Sequence, residues 1–393
     1  GPQQAPATPP PERALEHELL LALTVEEIYV WRCQPGLTLL CALRGFELAE
    51  SLDALPQRAY FRAALGFLLS FTRLGGVGMR YMERTPSAAG TVGEIDSLRT
   101  QTMVALHQGD LAVASERAAR AVDRSRAQRD DFALMYSLLQ EQFVMCERDD
   151  FTRVLRISSE LEELARRAKN PRYIAIARLG QLGALLRFGR HTELEALFAR
   201  TQTDAGEVGA VAEAVLYGLA AMTALRRGDR RCAHERAERA LNAVTRARWP
   251  LLQLRFALIG LLEVHLDEDE PVGAPDAIEH GLRVLRFGAL QFSRMRPASA
   301  LYHGRYALRR GALRGARRML ERSLHAATQE GMRFEQAQAH YHLARLLLRT
   351  GGATRPHGDA TAHLRAALAL YEEIGATWDA ERACRLLSRL GRP

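Results

Sequence analysis

Lysine is all but missing from this chain: of its 54 basic residues only Lys169 is lysine, and the rest are arginine. The net charge of +8 and pI near 9.6 therefore read as coding bias toward arginine rather than as a phosphate track. The arginines also alternate with acids, as in Glu235-Arg236-Ala237-Glu238-Arg239, which is the pattern of a solvated helix face. Cysteine is scarce as well. Cys33, Cys41, Cys146, Cys232 and Cys384 are widely scattered with no CxxC and no matching His pair, which argues against a disulfide framework or a structural zinc site and suits a reducing cytoplasm. No apolar run approaches the ~20 residues of a membrane helix. The opening GPQQAPATPPP has no charge and no apolar signal-peptide core, so residues 1–11 are expected to be linker, with Gly1-Pro2 the scar of a removed tag.

Strand signals are also absent, since no alternating run of Val, Ile, Thr or aromatic residues stands between turn dipeptides. Ala, Leu, Arg and Glu, all good helix formers, dominate instead. The expected fold is all-α. Helix stop signals fall at Gly109, Asp149, Gly189, Gly228, the acidic cluster around Glu268, Gly311 and Gly351, with successive gaps of 40, 40, 39, 40, 43 and 40 residues. Such regularity predicts a solenoid of helix pairs. Residues 208–227 with 230–246 make one pair and 295–310 with 312–328 another.

Offsets from the turn glycines repeat. Gly109 is followed five and twelve residues later by Ala114 and Ala121, Gly228 by Ala233 and Ala240, and Gly311 by Ala316 and Ser323. Small residues seven apart share one face of the second helix and let the first approach closely. Arg227-Gly228-Asp229 is then punctuation rather than an adhesion motif: Gly228 ends one helix in a left-handed cap and Asp229 caps the next. Pro56 is expected to open a helix.

These traits resemble the tetratricopeptide repeat, most closely in Ala300-Leu301-Tyr302-His303-Gly304 through Gly311 and Ala316, although the period is about 40 residues and Leu194 stands where a small residue is usual. The resemblance implies a right-handed superhelix, with degenerate helical repeats over 12–90 and tetratricopeptide-like repeats over 91–393 closed by a capping helix. The runs EGMRFEQAQAHYHLARLLL and HLRAALALYEEIGATWDAERACRLL resemble the closing repeats of bacterial signalling proteins that join a class III adenylate/guanylate cyclase, or a Ser/Thr kinase, to an AAA-type ATPase. Similar ends occur in MalT-like transcription regulators. The segment EEIYVWRCQPGLTLLCALRGFELAESLDALPQRAYFRAALGFL is similar to the region that follows the ATPase in the cyclase-linked group. What this implies is a cytoplasmic, non-catalytic regulatory region of a larger signal-transducing ATPase, or a sensor region binding a small effector or protein.

Chemistry is mostly sought in vain. Gly75-Gly76-Val77-Gly78 lacks the lysine of a phosphate loop. His17-Glu18 and His234-Glu235 begin a zinc-protease motif, but Leu21 and Glu238 hold the final histidine position. His340 and His342, two apart on a helix, project about 200° from each other and cannot share a metal. No catalytic residue, metal site or cofactor is therefore expected.

The concave groove of such a solenoid is lined mainly by first-helix residues. Six before the turn glycines stand Met103, Gly183, Met222, Arg305 and Arg345, and two before them His107, Arg187, Arg226, Arg309 and Arg349. Met103, Met222, Arg226, Arg305, Arg309, Arg345 and Arg349 are the candidate partner-binding set, with Arg305 and Arg345 expected exposed. Arginine forks favour an acidic peptide through bidentate carboxylate contacts, while cations near helix C-termini are also favoured by the dipole alone. The expected partner is a protein or acidic peptide, or another domain of the same polypeptide, with no membrane and no direct nucleic-acid contact; self-association stays open. The stretch 267–276, with carboxylates at Asp267, Glu268, Asp269, Glu270 and Asp276, reads as a flexible acidic insert.

Overall fold

The computed structural model describes residues 14–23, 35–70, 77, 80, 92–247, 252–267, 274–350 and 358–390. Residues 1–11, the run 26–34 with Cys33, Gly75, Gly76, Gly78, the acidic stretch 268–273 and Gly351 lie outside them. Among the described residues every regular element is a helix, and no helix is long and apolar enough to cross a membrane. None of Cys41, Cys146, Cys232 and Cys384 forms a disulfide.

After a helical segment over 14–23 (α1) come Pro35–Ser51 (α2), Leu55–Ser70 (α3), Val92–Gln108 (α4), Leu111–Gln128 (α5), Asp131–Glu147 (α6), Phe151–Arg167 (α7), Pro171–Arg187 (α8) and His191–Val208 (α9). They are followed by Ala210–Arg226 (α10), Arg230–Arg246 (α11), Leu254–His265 (α12), Pro275–Gln291 (α13), a short 3-10 turn Ser293–Met295, Arg296–Arg309 (α14), Leu313–Gln329 (α15), Arg333–Thr350 (α16), Gly358–Glu373 (α17) and Thr377–Leu390 (α18). Pro56 sits in the first turn of α3. The chain forms two compact units, Gly1–Ala105 with Glu116–Ser137, and Leu106–Ser115 with Leu138–Pro393.

In the first unit, α1 to α3 gather Leu19, Ala42, Leu48, Ala49, Phe61 and Leu65 into one core. Gly45 is required there: a Cβ would stand 2.1 Å from the tip of the Phe61 ring. Farther along, the Ser125 and Ser137 hydroxyls share a hydrogen bond of 3.1 Å, and the Arg99 guanidinium lies 3.6 Å over the Tyr136 ring.

In the second unit, successive helices pair as the spacing predicts, α10 with α11, α14 with α15 and α16 with α17, while α10 also packs on α8 and α12. Ala233, Ala240, Ala316 and Ser323 are all completely buried, and a Cβ on Gly304 would already press Leu320 at 3.0 Å. Gly228 has φ +81°. Its N–H bonds Leu225 O and that of Asp229 bonds Ala224 O, the double closure that satisfies the last carbonyls of a helix. The Asp229 carboxylate then accepts from Cys232 N at 3.1 Å, so Arg227-Gly228-Asp229 is a helix boundary. Gly109, Gly189 and Gly311 take the same left-handed conformation, and so does Asp149.

The second unit also returns on itself. The Asp149 carboxylate, in the turn after α6, accepts from the backbone N–H of Phe334 at the start of α16, 185 residues away. Thr377, opening α18, donates to Phe188 O, which ends α8, across 189 residues. Between them lies a buried ion network. Glu147 receives Arg255 at 2.9 Å and Arg294 at 2.7 Å, and Arg294 also donates to the carbonyls of Glu147 and Glu330. Burial would raise the Glu147 carboxyl, but the two guanidiniums outweigh it and hold it below the ordinary carboxylate range.

Candidate anion-binding cavity

Within the second unit, α8, α10, α14 and α16 bring arginine after arginine to one cavity of about 530 Å³. Arg187 comes from α8, Arg226 from α10, Arg305 from α14 and Arg345 from α16, while Arg230 opens α11. The last helix, α18, adds Arg382, Arg385 and Arg389. Among the described residues only Glu263, Asp267 and Asp379 oppose these eight, so the described lining carries a formal excess of five positive charges. Its size lies within the range of small-ligand pockets.

Three arrangements make the wall. Glu263 of α12 is paired with Arg305 and accepts from the Tyr302 hydroxyl at 2.6 Å; burial would raise its pKa, but Arg305 and Arg382 bring it down to about 2. Asp379 accepts from Arg226 at 3.0 Å and from Gln338 at 3.1 Å, with Arg382 at 3.9 Å. Aromatic faces support the guanidiniums: Arg187 lies 3.4 Å from the Phe334 ring centroid, Arg226 4.4 Å from that of Trp378, and Arg382 4.3 Å from that of Tyr341. Such stacking lets planar cations pack without a carboxylate for each.

Crowding of like charge leaves its mark. The Arg345 pKa is lowered to about 10 by burial and then by Arg382 and Arg349, and that of Arg226 is lowered by burial, with Arg187 and Arg382 opposing its cation. His342, 1% exposed in the wall, is held neutral by burial and by Arg305 and Arg382. Neither of its ring nitrogens has a hydrogen-bond partner, and the same is true of Arg382 Nε. Buried polar atoms of this kind ordinarily find partners, so the cavity wall holds hydrogen-bonding capacity that the protein itself does not use.

Of the candidate set, Met222, Arg226, Arg305 and Arg345 line the cavity. Arg309 and Arg349 do not, the latter directing Nη1 toward Leu308 O at 3.5 Å, and Met103 belongs to the first unit. One expectation is corrected. Arg305 is 5% exposed and bonded to Glu263, so it is part of the wall rather than an open surface cation, and Arg345 is half-buried. The partner carboxylate stands 42 residues earlier on α12, beyond the reach of any local spacing argument. Sequence reasoning also missed Arg382, Arg385 and Arg389; their spacing of three and four residues on α18 is the signal that places them on one face. Asp267, the first carboxylate of the acidic insert, lines the cavity of its own chain and stands 3.7 Å from Arg230. His340 and His342 do diverge: His342 faces the cavity, whereas His340 Nδ1 meets His363 Nδ1 at 2.7 Å.

No family model and no curated protein matches the chain. Solved structures do resemble it. A Rap protein complexed with Competence and Sporulation Factor is similar over 97% of this chain and 100% of its own, with 12% identity and a TM-score of 0.66. The apo form of RapI is similar over 96% of this chain and 99% of its own, again with 12% identity and a TM-score of 0.51. At that identity the likeness is one of fold, and the fold shared is an all-α solenoid of tetratricopeptide-like helix pairs.

Proposed function

We propose that the chain is a non-catalytic interaction and regulatory module whose cationic cavity holds an acidic segment of a protein, either a separate partner or another domain of the same polypeptide. The observation that carries this reading is the excess of five positive charges around about 530 Å³. Arginine forks in excess over the described carboxylates favour bidentate anion contacts. One of the similar structures is a complex with a factor, so this architecture serves elsewhere as a binding scaffold. The resemblance of the closing repeats to cyclase-linked and kinase-linked signalling ATPases makes such an effector domain the natural object of control. A second reading, a small effector of the kind a MalT-like sensor region takes, is favoured by the cavity's volume alone.

Calorimetry with a hexaglutamate peptide tests the first reading. Affinity is expected to fall as salt rises, and Arg345→Glu is expected to weaken binding by about tenfold or more, since it reverses a charge at the cavity wall. Absence of binding at low salt, or wild-type affinity in the variant, would overturn it.

A further inference from the structure

The eight cavity arginines do not all belong to one wall. Five of them (Arg187, Arg226, Arg230, Arg305 and Arg345) stand with Glu263 and Asp267 on α8, α10, α11, α12, α14 and α16 and the turn that follows α12, an excess of three positive charges. Against that wall α18 presents Asp379, Arg382, Arg385 and Arg389, itself an excess of two. Two cationic surfaces thus meet across the cavity, with Asp379 the single carboxylate that α18 contributes to the meeting.

The helix is also lightly held. Only Asp379 and Ala383 of α18 are fully buried, with Ala380, Leu386, Leu387 and Leu390 half-buried against the core, whereas α10 buries twelve residues and α16 ten. Its first turn is tied by Thr377 to Phe188 O at 2.9 Å and by Asp379 to Arg226. Toward its other end, Arg385 and Arg389 are exposed, and the nearest carboxylate to Arg385 is Glu381 of the same helix at 3.7 Å. An element with few buried contacts opens at low cost, and like charge across the cavity works against its closing.

We infer that α18 is the ligand-responsive element of the site: an anion in the cavity bridges the arginines of the wall to Arg385 and Arg389 and draws the distal half of α18 shut. The inference rests on the acidic-ligand reading above. By linkage, whatever binds better to the closed arrangement must stabilise it to the same degree, so the state of α18 reports occupancy. A helix drawn against the cavity by an acidic segment changes the surface it offers to anything beyond it, which is how occupancy of an interior site becomes visible outside.

Hydrogen–deuterium exchange over 377–390 of the full chain, with and without hexaglutamate at low salt, tests this. The ligand is expected to slow exchange in the distal half of α18 by about tenfold, while a double variant Arg385→Glu with Arg389→Glu, both sites exposed, keeps the wild-type melting temperature, binds at least about tenfold more weakly and shows no ligand-dependent protection. Equal affinity in wild type and double variant, or exchange in α18 that is unchanged or faster with ligand, overturns the inference and leaves the acidic-ligand reading standing. Failure of the wild type to bind removes both.

Discussion

Two arginine clusters of the second unit invite comparison, because they are built from the same residue and serve opposite ends. At the seam, Arg255 and Arg294 are 2% and 1% exposed, and carboxylates face them: Glu147 bonds both, and Glu335 stands 3.8 Å from Arg255. In the cavity, eight arginines face three carboxylates among the described residues. A buried charge without a partner is expensive, so the seam, closed to water, must balance its charge. The cavity, open to solvent, is free to keep an excess. Charge balance rather than arginine content separates the arginines that hold the fold from those that the proposed function assigns to a partner.

The comparison breaks most visibly at Glu147. Glu147→Ala strands two buried guanidiniums and should destabilise the second unit by about 3–5 kcal/mol, read as a loss of denaturation midpoint; a melt like the wild type's would show that the seam is not structural. Within the cavity the contrast should reappear in miniature. Arg305→Glu, at a buried position, places a carboxylate beside half-buried Glu263 and should cost about 3 kcal/mol, whereas Arg345→Glu, half-buried and already crowded by cations, should leave stability within about 1 kcal/mol while weakening hexaglutamate. Similar losses in both would erase the distinction between wall and ligand-facing arginine.

Acidity should sharpen it. The Asp149 carboxyl of the seam is raised to about 7, first by burial and then by the charge of Glu335, against the Phe334 N–H and the cations of Arg187 and Arg255. A group raised on folding contributes stability that is complete below its unfolded value and is lost as pH rises through its folded one. His265 and His340 are lowered to about 4, by burial and then by His234 and His363 respectively. Their contribution is present above the ordinary imidazole value near 6.5 and is lost as pH falls through 4. Between pH 4 and 6.5 the two histidines gain more than Asp149 loses, so from these groups the stability of the second unit should rise with pH toward about 7. Denaturant midpoints should rise more steeply between pH 4 and 7 in Asp149→Asn and less steeply in His265→Gln; profiles identical to the wild type's would remove these residues from the titration.

The smallest expected effect is at a turn on the cavity's edge, at a residue that carries no charge. A Cβ on Gly228 would meet nothing within 4 Å, so Gly228→Val tests φ alone, and its left-handed conformation should cost about 1 kcal/mol or more. An unchanged melt would mean that the turn relaxes without strain.

Gly228 also marks where reading the sequence succeeds. Turn glycine, Asp229 cap and the small residues Ala233 and Ala240 act within one helix pair, and the structure puts each where its chemistry predicts. Gly218 and Gly260 were not legible. Each lies inside a helix, and each is required because α10 and α12 cross so closely that a Cβ on Gly260 would stand 2.2 Å from Gly218 O. Of the candidate arginines, those two or six residues before a turn were found by register. That Arg305 is compensated while Arg345 is crowded was not, since Glu263 and Arg382 reach the cavity from elsewhere in the chain.

The helical class, the forty-residue period and the places where helices end could all be read from the residues alone. Those features rest on backbone propensity, capping and packing between neighbours in the chain, interactions written in residues a few turns apart. Only the tertiary structure decided which arginines are balanced. That depends on carboxylates brought in by the return of the second unit on itself, as Asp379 is brought to Arg226 across 153 residues and Glu147 to Arg294 across 147. Electrostatic compensation follows distance in space, and a local pattern cannot encode a distance that only closure of the solenoid creates.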